Sequence, residues 1–91
     1  MKVKFFATYR DITRRMEDYV TAAPDIWALL LMLGDRYGEV FRNAAFSPEG
    51  MEISEEAIIL VNGRDICHLQ GKDTPLDESD TVSIFPAVAG G

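Results

Sequence analysis

The spacing of apolar residues changes along the chain, and each change predicts a new element. In "KVKFFATY", Val3, Phe5 and Ala7 fall on one face and Lys2, Lys4 and Thr8 on the other, with Phe6 interrupting the polar side. A period of two predicts a first strand with one face toward a core. "RDITRR" reads as a polar break. Alternation resumes in "MEDYVT", where Met16, Asp18 and Val20 oppose Glu17, Tyr19 and Thr21, and this predicts a second strand hairpinned to the first.

The period then becomes helical. In "PDIWALLLMLGDRYG", Ile26, Leu29, Leu30, Leu33 and Tyr37 recur at i, i+3, i+4, i+7 and i+11. Asp25 after Pro24 is an N-cap, and Gly38 is the stop, with Gly34 as an earlier alternative. Trp27 and Leu31 lie on the flank of the stripe, where they are expected to pad the sheet.

"EVFRNAAFSPEGMEISEE" keeps no period and contains Pro48 and Gly50, so it is expected to be irregular, with a short helical turn near Val40 to Ala44. "AIILVNGRDI" carries the clearest strand signal. An apolar run to Val61 meets Asn62-Gly63, the dipeptide that a type I′ hairpin turn requires, and Arg64 to Ile66 return. "HLQGKDTPLDESD" is turn and loop chemistry, and "TVSIFP" alternates Val82 and Ile84 against Thr81, Ser83 and Phe85. The order β, β, α, β, short β, β predicts a small α+β domain with the helix covering one face of a mixed sheet. Several strand orders fit. One of them is the β-grasp order, with the first and last strands adjacent and parallel at the centre.

Composition narrows the function. Ninety-one residues suit one domain. The apolar fraction of 47% and charged fraction of 26% match a folded globular chain. No apolar run approaches the roughly 20 residues of a membrane span, and "MKVKFFATYRDIT" is too charged for a signal peptide, so a cytoplasmic protein that engages no membrane is expected. A net charge of −6, with Arg14 and Arg15 the only adjacent basic pair, disfavours nucleic acid and suits a basic protein partner. Cys67 is the only cysteine, which excludes an internal disulfide and a cysteine-based metal cluster. No metal site is expected.

No internal catalytic set emerges. His68 adjoins Cys67, but neighbours in an extended chain point to opposite faces, so Cys67 reads as a small core hydrophobe. Asp77, Glu78 and Asp80 in one turn, and Glu55 with Glu56 in a loop, read as solvated surface. Neither a P-loop nor a dinucleotide fingerprint occurs.

The end of the chain, "FPAVAGG", is the candidate for chemistry. Pro86 has no N–H and is expected to end strand pairing, dividing a domain at 1–86 from an extended, flexible tail at 87–91. Gly90 and Gly91 lack a Cβ, so they can thread a channel too narrow for other residues and present the Gly91 carboxylate to another protein's site. At neutral pH that carboxylate is an anion with a reference pKa of about 3.5 and a poor electrophile, so it needs activation by a separate enzyme. Phe85 and Val88 are apolar residues that a docking segment has reason to carry.

Three stretches, "VKFFATYRDI", "ILVNGRDI" and "TPLDESDTVSIFPAVAGG", together with the helix between them, resemble the small subunits of molybdopterin synthase. These belong to the ubiquitin-like β-grasp sulfur carriers, which also include the thiamine-pathway carrier. The segment from Arg42 to Glu56 is longer than in the shortest members, and Ala87 and Ala89 stand at variable positions.

The resemblance implies a ubiquitin-like β-grasp fold and a two-stage mechanism. An adenylating enzyme similar to ubiquitin-activating enzymes uses ATP to form an acyl-adenylate on Gly91, and persulfide sulfur from a cysteine desulfurase or rhodanese converts it to a thiocarboxylate. The domain itself binds no cofactor. Its tail, with Phe85, Pro86, Ala87, Val88, Ala89 and Gly90 as partner-binding residues, enters the molybdopterin synthase large subunit of a heterotetramer, which supplies the catalytic side chains. Sulfur passes there to cyclic pyranopterin monophosphate for the molybdenum or tungsten cofactor. Joining of the same tail to lysines as a protein modifier, sulfur delivery for thiazole, and a docking module without chemistry are the alternatives.

Overall fold

Val3 and Phe5 turn to one side of β1 (Lys2–Phe5) and Lys2 and Lys4 to the other, and this two-residue period organises the whole sheet. The computed structural model describes residues 1–87. After β1 come α1 (Thr8–Thr13), β2 (Glu17–Tyr19), α2 (Ile26–Tyr37), α3 (Glu39–Ala45), β3 (Ala57–Val61), β4 (Arg64–Asp65) and β5 (Thr81–Pro86). The strands form one sheet in the order β2-β1-β5-β3-β4. β1 and β5 are parallel at its centre, and the other neighbours are antiparallel. This is the ubiquitin-like β-grasp.

α2 starts where Asp25 accepts a hydrogen bond from the Ala28 N–H at 2.8 Å, and it ends at Gly38, whose φ of 89° takes the chain out of the helix. Ile26, Leu29, Leu30 and Leu33 are fully buried. They pack over Val3, Phe5, Ile59, Val82 and Ile84 as one core. Burial of these side chains drives the fold, at about 1.5–3 kcal/mol for each relative to exposure.

The β3–β4 hairpin turns through Asn62 at φ 51° and Gly63 at φ 85°, the left-handed pair expected of Asn-Gly. Asn62 does more than turn. Its side-chain amide donates to Asp80 at 2.8 Å and its carbonyl accepts from the Thr81 N–H at 2.9 Å, so the turn also holds the start of β5.

Several expectations change. "RDITRR" contains most of a helix rather than a polar break. A six-residue helix shows no full hydrophobic period, and α1 is held by tertiary contacts: Tyr9 is buried edge-on to Phe41 and donates to the Ala44 carbonyl at 2.8 Å. β1 ends at Phe5, and Ala7 is exposed with φ 51°, outside the face of Val3 and Phe5. The helical turn expected near Val40 to Ala44 is a seven-residue helix anchored by Phe41 and Ala45. Trp27 packs edge-on against Phe46 at 5.1 Å, under the Nζ of Lys72 at 5.0 Å, so it pads the loop segment after α3, and Leu31 is exposed.

Cys67 is exposed, not a core hydrophobe, because Ile66 to His68 form a 3₁₀ turn in which Ile66 takes the buried place. The turn acids are exposed or half-exposed yet structurally engaged. Glu78 accepts from the Ala22 N–H and the Met1 amino group, and Asp77 accepts from the Ser79 N–H and hydroxyl. These bonds hold both carboxyls below their ordinary values.

Asp18 is the one buried carboxylate side chain among the described residues. Burial pushes its pKa up, but hydrogen bonds from the Tyr37 hydroxyl at 2.5 Å, Arg36 at 2.7 Å and the Tyr19 N–H at 2.8 Å outweigh this and hold it below the usual carboxylate range. The same group shields the sheet edge. The Val20 N–H bonds the Met1 carbonyl and the Phe5 N–H the Met16 carbonyl, so Tyr19 turns its own N–H and C=O outward. Asp18 takes that N–H and Arg36 that C=O, the latter at 3.2 Å.

Candidate functional site

The open face of the sheet carries Lys2, Lys4 and Phe6 from the first strand and its extension, Thr81, Ser83 and Phe85 from β5, and Ile58 and Leu60 from β3. Register sorts them into rows. Lys4 lies beside Ser83, which lies opposite Leu60. At the end where β5 leaves the sheet, Phe6, Phe85 and Ile58 stand side by side. Ile58 is the register partner of Phe85, and the Phe6 and Phe85 rings are stacked with centroids 4.1 Å apart and planes 7° from parallel.

None of these three belongs to the buried core, and Ile58 is 36% exposed. An apolar row on a solvent face next to lysines is a surface that a partner can cover. Phe85 was expected there from the sequence. Phe6 and Ile58 were not assigned to the site, although the interruption of the polar side of the first strand by Phe6 was a signal.

The exit itself is well defined. Pro86 is half-buried and still in register with Ala57, and the exposed Ala87 donates its N–H to the Glu56 carbonyl at 2.7 Å. Pairing therefore continues one residue past Pro86, because a proline removes only its own donor and leaves the next N–H free to bond. Val88, Ala89, Gly90 and Gly91 lie outside the described residues. Beyond Ala87 on the β3 side stand the exposed Glu55 and Glu56, bordering a groove lined by Asn43, Phe46, Pro48 and Ser54. Burial and the charge of Glu56 push the Tyr9 phenol up to about 12, and its hydroxyl donates to the Ala44 carbonyl.

The exit thus has two unlike flanks, aromatic with lysines toward β1 and acidic toward β3. Among the described residues no three His, Cys, Asp or Glu side chains are grouped to hold a metal ion, and no helix is long and apolar enough to cross a membrane. Cys67 and His68 lie on the 3₁₀ turn after β4, outside the row of Phe6, Phe85 and Ile58.

The family model of ThiS matches residues 3–91, which includes both strands of the exit and the closing Gly-Gly. The chain belongs to the ThiS family. Members of this family are small ubiquitin-like sulfur carriers and modifiers. The chain is 31% identical to small archaeal modifier protein 3 of Haloferax volcanii, over 100% of its own length and 98% of the relative's. It is also 31% identical to the solution structure of small archaeal modifier protein 1 from Methanosarcina acetivorans, with a TM-score of 0.83 over 99% of this chain and 94% of that one. A candidate molybdopterin converting factor subunit 1 from Pyrococcus furiosus is 27% identical, with a TM-score of 0.72 over 96% and 95% of the two chains.

Proposed function

We propose that this protein is a sulfur carrier whose Gly91 carboxylate is the reacting group, serving as the small subunit of a molybdopterin synthase. An adenylating enzyme joins that carboxylate to the α-phosphorus of ATP and releases pyrophosphate. Persulfide sulfur then displaces AMP to give an acyl persulfide, and a second thiol of the sulfur-donating partner cleaves its S–S bond, forming a disulfide and leaving the thiocarboxylate. The tail enters the large subunit, where the sulfur passes to cyclic pyranopterin monophosphate during assembly of the molybdenum or tungsten cofactor. The reading rests on one observation: the family match runs through Gly90 and Gly91, directly beyond an apolar row that the core does not use.

A second reading has specific support. The modifier proteins at 31% identity favour transfer of the same activated carboxylate to lysine amines of other proteins. Both readings share the adenylate and differ in the acceptor. Intact mass spectrometry of the protein from its native host, made while the cofactor is being produced, separates them. Replacement of one terminal oxygen by sulfur supports the carrier, Gly-Gly remnants on lysines support the modifier, and finding neither sinks both. Deletion of Gly91 is expected to abolish sulfur transfer with thermal stability nearly unchanged, since a terminal residue contributes little to the core.

A further inference from the structure

Phe85 is the last side chain on the open face before the chain leaves the sheet, and what holds it differs on its two sides. Toward β3 the hold is backbone: Ala57 is in register with Pro86, and the Ala87 N–H bonds the Glu56 carbonyl. Toward β1 the last backbone bond is from the Phe6 N–H to the Ile84 carbonyl at 3.1 Å. β1 ends there, and Ala7 at φ 51° turns its chain away, so no strand runs beside Pro86 on that side. The helix α1 that follows also lies against β5, and the side-chain hold at Phe85 itself is the stacked ring of Phe6.

We propose that Phe6 is a positioning residue: its ring, flat against Phe85, fixes the direction in which the chain leaves the sheet and so sets where Gly91 is delivered. The role rests on the reading of Gly91 as the reacting group. Stacked aromatic rings attract beyond the area they bury, and a flat pair resists tilting of either ring. Neither ring is part of the core, and both are half-buried on the open face beside the exit. Direction matters because four residues follow Ala87. At no more than ~3.6 Å each they reach at most about 14 Å, so where the chain leaves the sheet bounds the region in which Gly91 can be delivered. A misplacement of ~1 Å at a reacting atom can cost up to about 100-fold in rate.

The experiment compares the wild-type chain with Phe6→Ala, Phe6→Leu and Phe6→Tyr. Amide order parameters are measured at Phe85 and Ala87 in the free protein, and kcat/KM is measured for adenylation by the activating enzyme. In Phe6→Ala and Phe6→Leu the order parameters at Phe85 and Ala87 are expected to fall from about 0.85 toward 0.6, with Ile59 and Ile84 unchanged, and Phe6→Tyr restores them. Adenylation kcat/KM falls about tenfold with the loosened variants and recovers in Phe6→Tyr.

A role confined to touching the partner leaves the free protein's order parameters unmoved, and that result overturns the proposal. So does a Phe6→Leu variant as rigid as wild type, or a loosened exit with full adenylation. A wild-type chain that is never adenylated overturns the functional reading instead, and the order parameters still report the brace separately.

Discussion

The two faces of the sheet are made from the same strands, one residue out of step, and they hold different kinds of information. Phe5 is 1% exposed and meets Tyr37 and Phe41 edge-on at 5.7 and 6.5 Å, inside the layer covered by α2 and α3. Phe6, the next residue, lies outside that layer and meets only the ring of Phe85 among the aromatic pairs. Ile84 and Phe85 repeat the contrast on β5. On the covered face a side chain is worth what it excludes from water. On the open face the fold needs little, so an apolar side chain there is explained by what it orients or by what covers it.

The contrast can be broken at the covered face first. Phe5→Ala removes a fully buried ring and is expected to cost about 3–5 kcal/mol, read as a lowered midpoint in chemical denaturation with an unchanged slope. A loss below about 1 kcal/mol would mean that the two faces do not divide as described.

Asp18 tests the border between the faces at the β2 edge. Asp18→Ala strands the Tyr19 N–H and the Tyr37 hydroxyl and is expected to cost about 2 kcal/mol. It also uncovers the outward groups of Tyr19, so sedimentation should show self-association absent in the wild type. In the wild type the sign of the pH effect follows from the lowered carboxyl. Its contribution is fully present above the unfolded value of about 3.9 and is lost as pH falls through the folded value, so acid titration should destabilise the wild type below about pH 4 more than Asp18→Ala.

Smaller effects sharpen the comparison. Asp25→Ala removes the cap of α2 and should cost about 1 kcal/mol in thermal denaturation, with no effect on partner binding, because the cap lies on the covered side. Ile58→Ala and Phe85→Ala should change stability by less than about 1 kcal/mol each. Titration calorimetry against the adenylating enzyme should nevertheless show affinity reduced by tenfold or more, since apolar anchors concentrate interface energy. Equal losses of affinity in Asp25→Ala would remove the open face as the docking surface.

Much of the fold was legible because its signals are local. Asp25 before the 26–37 stripe, Asn62-Gly63 after the apolar run of β3 and the alternation around Val82 and Ile84 each state a backbone preference that the tertiary structure agrees with. α1 was not legible, since six residues carry no full period and Tyr9 is buried only because Phe41 arrives from thirty-two positions later in the chain. Cys67 was misplaced for a similar reason: the pairing of Arg64 with Val61 across the turn puts Ile66 on the core face and leaves Cys67 outside it, which only the register reveals.

The candidate site divides along the same line. The closing Gly-Gly and the phenylalanine and proline before it could be read directly, because glycine and proline act through their own covalent geometry. Alternation also put Val3 and Phe5 of the first strand, and Val82 and Ile84 of the last, on one face each, whereas the continuous apolar run of β3 gave no facing. The rows across the sheet were a different matter. That Phe6 stacks on Phe85, that Ile58 completes the row, and that Glu56 holds Ala87 depend on strand order and register. Residues this far apart in sequence meet only through strand order and register in the folded sheet, so their contact belongs to the tertiary structure alone.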